Sequence, residues 1–145
     1  AAEDIGLANP NALLLANACF NTVNNIGMPE GRIPLSETTV YLATSPKSNS
    51  AYLAIDKALA FVNSDTASRE VPLNLRNAPT SLMKELGYGN QYKYSHDYEG
   101  HFADQEFMPE GMSGMCFYEP QNNGKEREIK KYIESCWKDK YKNDE

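Results

Sequence analysis

His96, Asp97, Glu99, His101, Asp104 and Glu106 bring imidazoles and carboxylates together within eleven residues, the one run whose side-chain types could ligate zinc or iron. A metal centre needs such groups to converge and to be held by partners behind them. These six sit in a stretch without helical or strand periodicity to aim them, so a solvated acidic loop, or one histidine hydrogen-bonded inside the fold, explains them without a metal. Cys19, Cys116 and Cys136 are far apart and odd in number. They carry no local signature of a thiol nucleophile and read as reduced, buried thiols. Gly124-Lys125 follows Asn-Asn and precedes Glu-Arg, so the chain has no G-x-x-x-x-G-K-[ST] loop to cradle a triphosphate. Gly87-Tyr88-Gly89 lacks the preceding strand and third glycine of a dinucleotide fingerprint and fits a helix cap plus turn. Lys47 beside Ser48 and Asn49 could hold an anion at a helix N-terminus, but ordinary capping uses the same residues and is the reading adopted. Neither a catalytic, a cofactor-binding nor a metal-ligating residue is assigned.

The elements that would position these groups are helices. Asn9-Pro10 supplies a capping residue and a proline for the first helical position, and the spacing predicts a helix over 10–26. Its stripes, Leu13, Ala16, Phe20 and Val23 beside Leu15, Cys19, Thr22 and Ile26, make a broad apolar face, expected to be mostly buried, that ends at Gly27. A second helix is expected from Ile33 to Thr44, with Pro34 tolerable in its first turn and Ser45-Pro46 as its stop. A third runs from Asn49 to Asn63, capped by Ser48 or Asn49, with Tyr52, Ile55, Leu59 and Val62 on one face. Short connections should set these three roughly antiparallel. Residues 64–71 read as an exposed polar loop.

Asn77, Ala78 and Pro79 look like the start of a short fourth helix with a Leu82, Met83, Leu86 stripe, ended by Gly87 in the left-handed conformation. Tyr88, Tyr92, Tyr94 and Tyr98 recur after it. Residues 98–118, with Phe102, Phe107, Met108, Met112 and Met115, are too apolar for a solvated linker and read as a strap over the helices, with one turn near Pro109 to Ser113. The clearest periodicity comes last: Ile129, Tyr132, Ile133, Cys136 and Trp137 predict an amphipathic helix from Lys125 to Tyr141, with charges opposite and residues 142–145 fraying. The fold class expected is all-α, a compact bundle of about five helices with a long irregular aromatic-rich segment between the fourth and last.

With 145 residues, 41% apolar and 23% charged, the chain is expected to be a single domain, residues 1–141, of an intracellular soluble class. No apolar run is long enough to read as a membrane span, so no membrane partner is expected. It opens Ala-Ala-Glu-Asp rather than with Met, which suggests a piece of something longer. The net charge of −6 disfavours nucleic-acid binding by this piece alone. Its aromatic and methionine content exceeds what a small monomer hides comfortably, which points to assembly.

Five ordered blocks add a resemblance. Ala2 to Gly6, Pro29 to Arg32, Tyr41 to Asn49, Leu75 to Thr80 and Gly87 to Asp97 resemble the C-terminal part of the RarA/MgsA family of AAA+ ATPases, relatives of the Werner helicase-interacting protein. The motif residues carried on this match are Pro46, Lys47, Ser48, Asn49, Arg76, Asn77, Pro79, Gly87, Tyr88 and Gly89. The resemblance spans nearly residues 1–125, and the final helix matches only in kind. It implies a clamp-loader-collar-like oligomerisation domain, in a family reported as tetrameric, following a motor and lid that this chain does not contain. ATP and magnesium would belong to that motor. DNA and single-strand-binding protein would be partners of the whole protein, a DNA-dependent ATPase of the cytoplasm and nucleoid. No Walker or arginine-finger position is matched here, so the fragment itself is not expected to be an enzyme. The expected contact surface is Tyr52, Tyr92, Tyr94, Phe102, Phe107 and Met108. A monomeric module whose aromatic loop grips a partner's tail is the competing reading, and a metal hydrolase built on the His96 to Glu106 cluster is a third.

Overall fold

The computed structural model describes residues 1–64 and 70–141. Among them there is no strand: five α-helices, α1 (Asn11–Ile26), α2 (Arg32–Thr44), α3 (Ser50–Val62), α4 (Ser81–Glu85) and α5 (Glu126–Trp137), are joined by 3-10 turns and irregular segments. The all-α class and the number of helices are as the periodicity predicts. The chain divides into two units, one of Ala1–Leu59 with Phe117–Ile133, the other of Ala60–Cys116 with Glu134–Glu145. Most of the expected 64–71 loop and the expected fraying at 142–145 lie outside the described residues.

In the first unit α1 and α2 pack on one another. Ala12 and Cys19 of α1 and Thr38 of α2 are buried, and the Cys19 thiol donates across to the Pro34 carbonyl at 3.4 Å. Pro34 falls in the first turn of α2, where its missing amide costs no helical bond. Asn9 does not cap α1 as expected. Pro10 is itself helical, and the Asn9 amide instead donates to the Tyr41 hydroxyl and to Ser45 Oγ, both at 3.0 Å, tying the start of α1 to the end of α2. The expectation that α1 is mostly buried also fails, since Leu13, Leu14, Phe20 and Ile26 are all exposed.

The second unit holds α4 and the strap. The helix starts later than expected, at Thr80, whose hydroxyl accepts the Met83 amide at 3.3 Å. A residue before proline is driven away from helical geometry, so Ala78 cannot open a helix and Asn77 cannot cap one. At the other end Gly87 takes φ +83°, and the Gly87 and Tyr88 amides reach the Lys84 and Met83 carbonyls, both at 3.0 Å. This pairing closes a helix with a left-handed glycine. The strap is irregular, as expected, with a turn closed by Met112 N–H on the Pro109 carbonyl at 3.0 Å. Ala103, Gln105 and Met112 are its buried residues.

Trp137 is the anchor of this unit, with Phe102, Phe107 and Tyr141 edge-on to it at 4.8, 6.1 and 5.6 Å. Helix α5 ends there rather than at Tyr141, because Lys138 adopts φ +51°. That break brings the Lys140 ammonium over the indole at 4.3 Å and to Glu106 at 3.1 Å.

Candidate functional site

The six candidate metal ligands do not gather into one centre. The His96 and His101 rings lie 5.0 Å apart and tilted, both exposed, and the Tyr94 ring lies 5.1 Å from His96. Asp97, Glu99 and Asp104 are exposed, and among the described residues no group of three or more histidine, cysteine or acidic side chains could hold a metal. Glu106 is committed elsewhere: its carboxylate accepts the Ser113 hydroxyl at 2.6 Å and the Phe107 and Met108 amides at 3.0 and 2.9 Å, besides the Lys140 ion pair. Burial pushes this carboxyl up, but the hydrogen bonds from Ser113, Met108 and Lys140 outweigh it and hold it at about 2. A depressed carboxyl stabilises the fold fully above the ordinary glutamate value of about 4.3 and loses that contribution as pH falls through the folded value. Glu106→Gln is therefore expected to flatten the fall in urea midpoint between about pH 4.3 and 2 relative to the parent.

Several of the family-motif residues hold backbone or ring partners. Arg76 donates from Nε to the Val71 carbonyl at 2.5 Å and lies 5.3 Å over the Tyr88 ring, while the Gly89 amide reaches the Leu73 carbonyl at 2.8 Å. Gly87 and Gly89 are both left-handed, and Asn77 and Pro79 are exposed in the segment leading to Thr80. In the other motif Pro46, Lys47 and Asn49 are exposed and Ser48 is buried. Asn123 Nδ2 donates to the Lys47 carbonyl at 2.7 Å, and Gln121 Nε2 to Asn49 Oδ1 at 3.0 Å.

An anion does sit beside the first residue of α3, and it belongs to the chain. Glu126, wholly buried at 0% exposure, accepts the Ser50 hydroxyl, the Tyr118 hydroxyl at 2.7 Å and the Gln121 amide at 3.3 Å. Ser48 supports Ser50, its hydroxyl donating to Ser50 Oγ at 3.1 Å and accepting the Ser50 amide at 3.2 Å. Burial would push the Glu126 carboxyl up, but the hydroxyls of Ser48, Ser50 and Tyr118 and the Gln121 amide hold it below the usual range. Burial, and then the carboxylate beside it, raise the Tyr118 phenol. The sequence reading missed this residue, which looks like one more charge on a solvated helix. The serines at the start of α3 were the available signal.

The Glu106 and Glu126 carboxylates are thus held by the fold itself, and among the described residues much of the exposed surface is apolar. Of the expected contact residues, Tyr52, Tyr92, Tyr94 and Phe107 are exposed, while Phe102 and Met108 are half-buried. Phe102 and Phe107 converge on Trp137, while Tyr52 lies in the first unit on α3 with Leu53, Ile55 and Leu59, all exposed. A further apolar surface lies on α1 and α2, where Leu13, Leu14, Phe20, Ile33, Leu35 and Val40 are exposed, Leu13 and Phe20 among them falling on the α1 stripes expected to be mostly buried. Between the two helices Asn11, Leu14, Leu15, Ala18 and Tyr41 line an open cavity of about 350 Å³.

The family described as MgsA AAA+ ATPase C terminal matches residues 1–137. The chain is similar to the Replication-associated recombination protein A of Coxiella burnetii (strain RSA 493 / Nine Mile phase I), at 46% identity over 135 residues, 92% of this chain and 30% of that protein. The protein of that name in Escherichia coli (strain K12) is 41% identical over 130 residues, 89% of this chain and 29% of its own length. In Bacillus subtilis (strain 168) it is 41% identical over 123 residues, 85% and 29% respectively. The chain spans about three-tenths of the length of these relatives.

Proposed function

The chain belongs to the MgsA AAA+ ATPase C-terminal family, and from that membership we propose that it is the oligomerisation module, a clamp-loader-like collar, of an ATPase acting in replication-associated recombination. Copies pack against one another and set the spacing of the motor domains, so that ATP sites shared between neighbours can form. The assembly is a homotetramer. ATP and magnesium are bound by the motor, and DNA and single-strand-binding protein are met by the whole protein, in the cytoplasm at the nucleoid. The fragment contributes geometry, and its partners are its own motor domain and other copies of itself.

One observation carries this reading: too much apolar surface is left wet. Within the first unit Leu14, Phe20, Ile33 and Val40 are each 60% or more exposed, and within the second Tyr92, Tyr94 and Phe107 are exposed, and apolar surface left in contact with water on this scale marks interaction sites. The exposed α3 residues Tyr52, Ile55 and Leu59 and the strap residues Tyr92, Tyr94 and Phe107 supply contact surface, with Phe102 and Met108 behind the strap. Deleting this region from the whole protein tests the role. The truncated ATPase is expected to run as single subunits and to lose most of its DNA-stimulated turnover. A truncated protein that keeps its parent's subunit number would overturn the collar reading.

A further inference from the structure

Two 3-10 turns, Ser95–Asp97 and Glu99–His101, gather exposed rings on the second unit. The Asp97 amide donates to the Tyr94 carbonyl and the His101 amide to the Tyr98 carbonyl, both at 3.0 Å. Gly100 and His101 are both left-handed, at φ +66° and +55°. That conformation is uncommon for a residue with a side chain, and here it turns the chain so that His101 meets His96. The Tyr94 and His96 rings lie 5.1 Å apart and the His96 and His101 rings 5.0 Å, tilted in both pairs. Tyr94 is 55% exposed, and Tyr98, between the two turns, is 43% exposed. Exposed rings in a row present their faces either to nucleic-acid bases or to the guanidinium planes of arginine, since both stack.

Charge decides between the two. The same turns carry Asp97 and Glu99, and Asp104 follows; all three are exposed, and none has an ion-pair partner among the described residues. Lys93, the one lysine in residues 92–104, has its ammonium on the Asp104 carbonyl at 2.6 Å. A phosphate backbone brought to these rings would meet carboxylates and no free cation of the segment. A guanidinium meets both a face to stack on and a carboxylate to pair with, and its planar fork suits the two together better than the ammonium of lysine does. We propose that this row is a docking surface for an extended arginine-rich segment of another protein, whose guanidinium groups lie on the Tyr94, His96 and Tyr98 rings and pair with Asp97 and Glu99. The chain's own arginines, Arg32, Arg69, Arg76 and Arg127, are scattered, so no stretch of it supplies such a segment. The inference goes beyond the collar reading, which uses only Tyr94 of this row.

Fluorescence anisotropy of the 145-residue chain with labelled probes tests it, in salt of about 50 mM and about 300 mM. A peptide of alternating arginine and glycine is expected to bind, its lysine counterpart to bind more weakly, and single-stranded oligothymidylate not to bind. His96→Ala and Tyr98→Ala remove rings without changing the count of acids, and each is expected to weaken the arginine peptide about two- to fivefold. Asp97→Asn with Glu99→Gln is expected to weaken it by a similar factor that shrinks at the higher salt. Glu85→Gln, at an exposed position of α4, is expected to leave binding at the parental value. None of these variants touches the residues given to the contact between copies, so the subunit mass is expected to stay parental whatever happens to the peptide. Ring variants that bind like the parent, or equal affinity for the arginine and lysine peptides, would reduce the attraction to net charge and overturn the proposal. Tighter binding of the oligonucleotide than of the arginine peptide would assign the rings to bases and overturn it too, as would an arginine peptide that does not bind.

Discussion

Glu126→Ala is expected to lower the unfolding free energy by about 3 kcal/mol or more, because several donors lose one shared charged acceptor, at about 1–3 kcal/mol for each buried group left unsatisfied. The carboxylate is the common acceptor for the Ser50 and Tyr118 hydroxyls and the Gln121 amide, with no exposure to water. Truncation removes the shared partner from all three at once and opens a cavity beside them. Stranded buried polar groups cost more than the bonds they made were worth, because their hydration is not recovered. Glu126→Gln keeps one acceptor oxygen and loses the charge, so a smaller loss is expected. The two variants also differ from the parent in acid. The folded carboxyl lies below its ordinary value, so its contribution is full above about pH 4.3 and fades as pH falls through the folded value. Urea melts at pH 7 and pH 3 are expected to show the gap between parent and either variant narrowing in acid. A gap that stays constant would show that the charge does not stabilise this network.

Gly124→Ala is expected to cost about 3 kcal/mol or more, through backbone strain and a clash with atoms that cannot move aside. The residue takes φ +51°, and an added methyl would fall on the Ala8 carbonyl and 2.8 Å from Pro46 Cγ. That carbonyl also accepts the Lys125 amide at 2.8 Å, so it cannot swing away without losing the bond that seats the start of α5. Gly111→Ala separates the two contributions. Gly111 has φ +81° but nothing within 4 Å of the added methyl, and strain alone is expected to cost about 1 kcal/mol there. Equal losses in the two variants would remove the clash from the explanation.

Helix positions were legible because their causes are local. The apolar spacing of α1, the stop at Ser45-Pro46 and the left-handed Gly87 depend on neighbours a few residues away. Caps were less legible, since competing partners decide them: Asn9 has the side chain of a cap, but the Tyr41 hydroxyl, 32 residues on, donates to the Oδ1 that capping would use. Glu126 was illegible for a similar reason. Nothing near it in sequence distinguishes it from Glu128, which is exposed and paired with Lys125. Tyr118 and Gln121 are close to it in sequence, but Ser50 at the start of α3 is 76 residues away, and only folding brings it to the carboxylate.

Burial was the weakest inference, and the error is informative. A hydrophobic stripe says that a helix face must be kept dry, but not that the same chain covers it. Leu13 and Phe20 read as core, and within one chain they face water. The five sequence blocks, by contrast, located the family correctly, since they record short-range backbone constraints such as those at Arg76, Gly87 and Gly89. Arg76, Gly87 and Gly89 are tied into turns of the second unit.

The central claim is that the apolar surface left wet by one chain is covered by other copies of it. Native mass spectrometry of the 145-residue chain at low micromolar concentration tests this most directly. The expected spectrum holds one dominant species with a fixed small number of chains, four on the collar reading, and little above it. A spectrum of single chains that persists as concentration rises a hundredfold would contradict the claim.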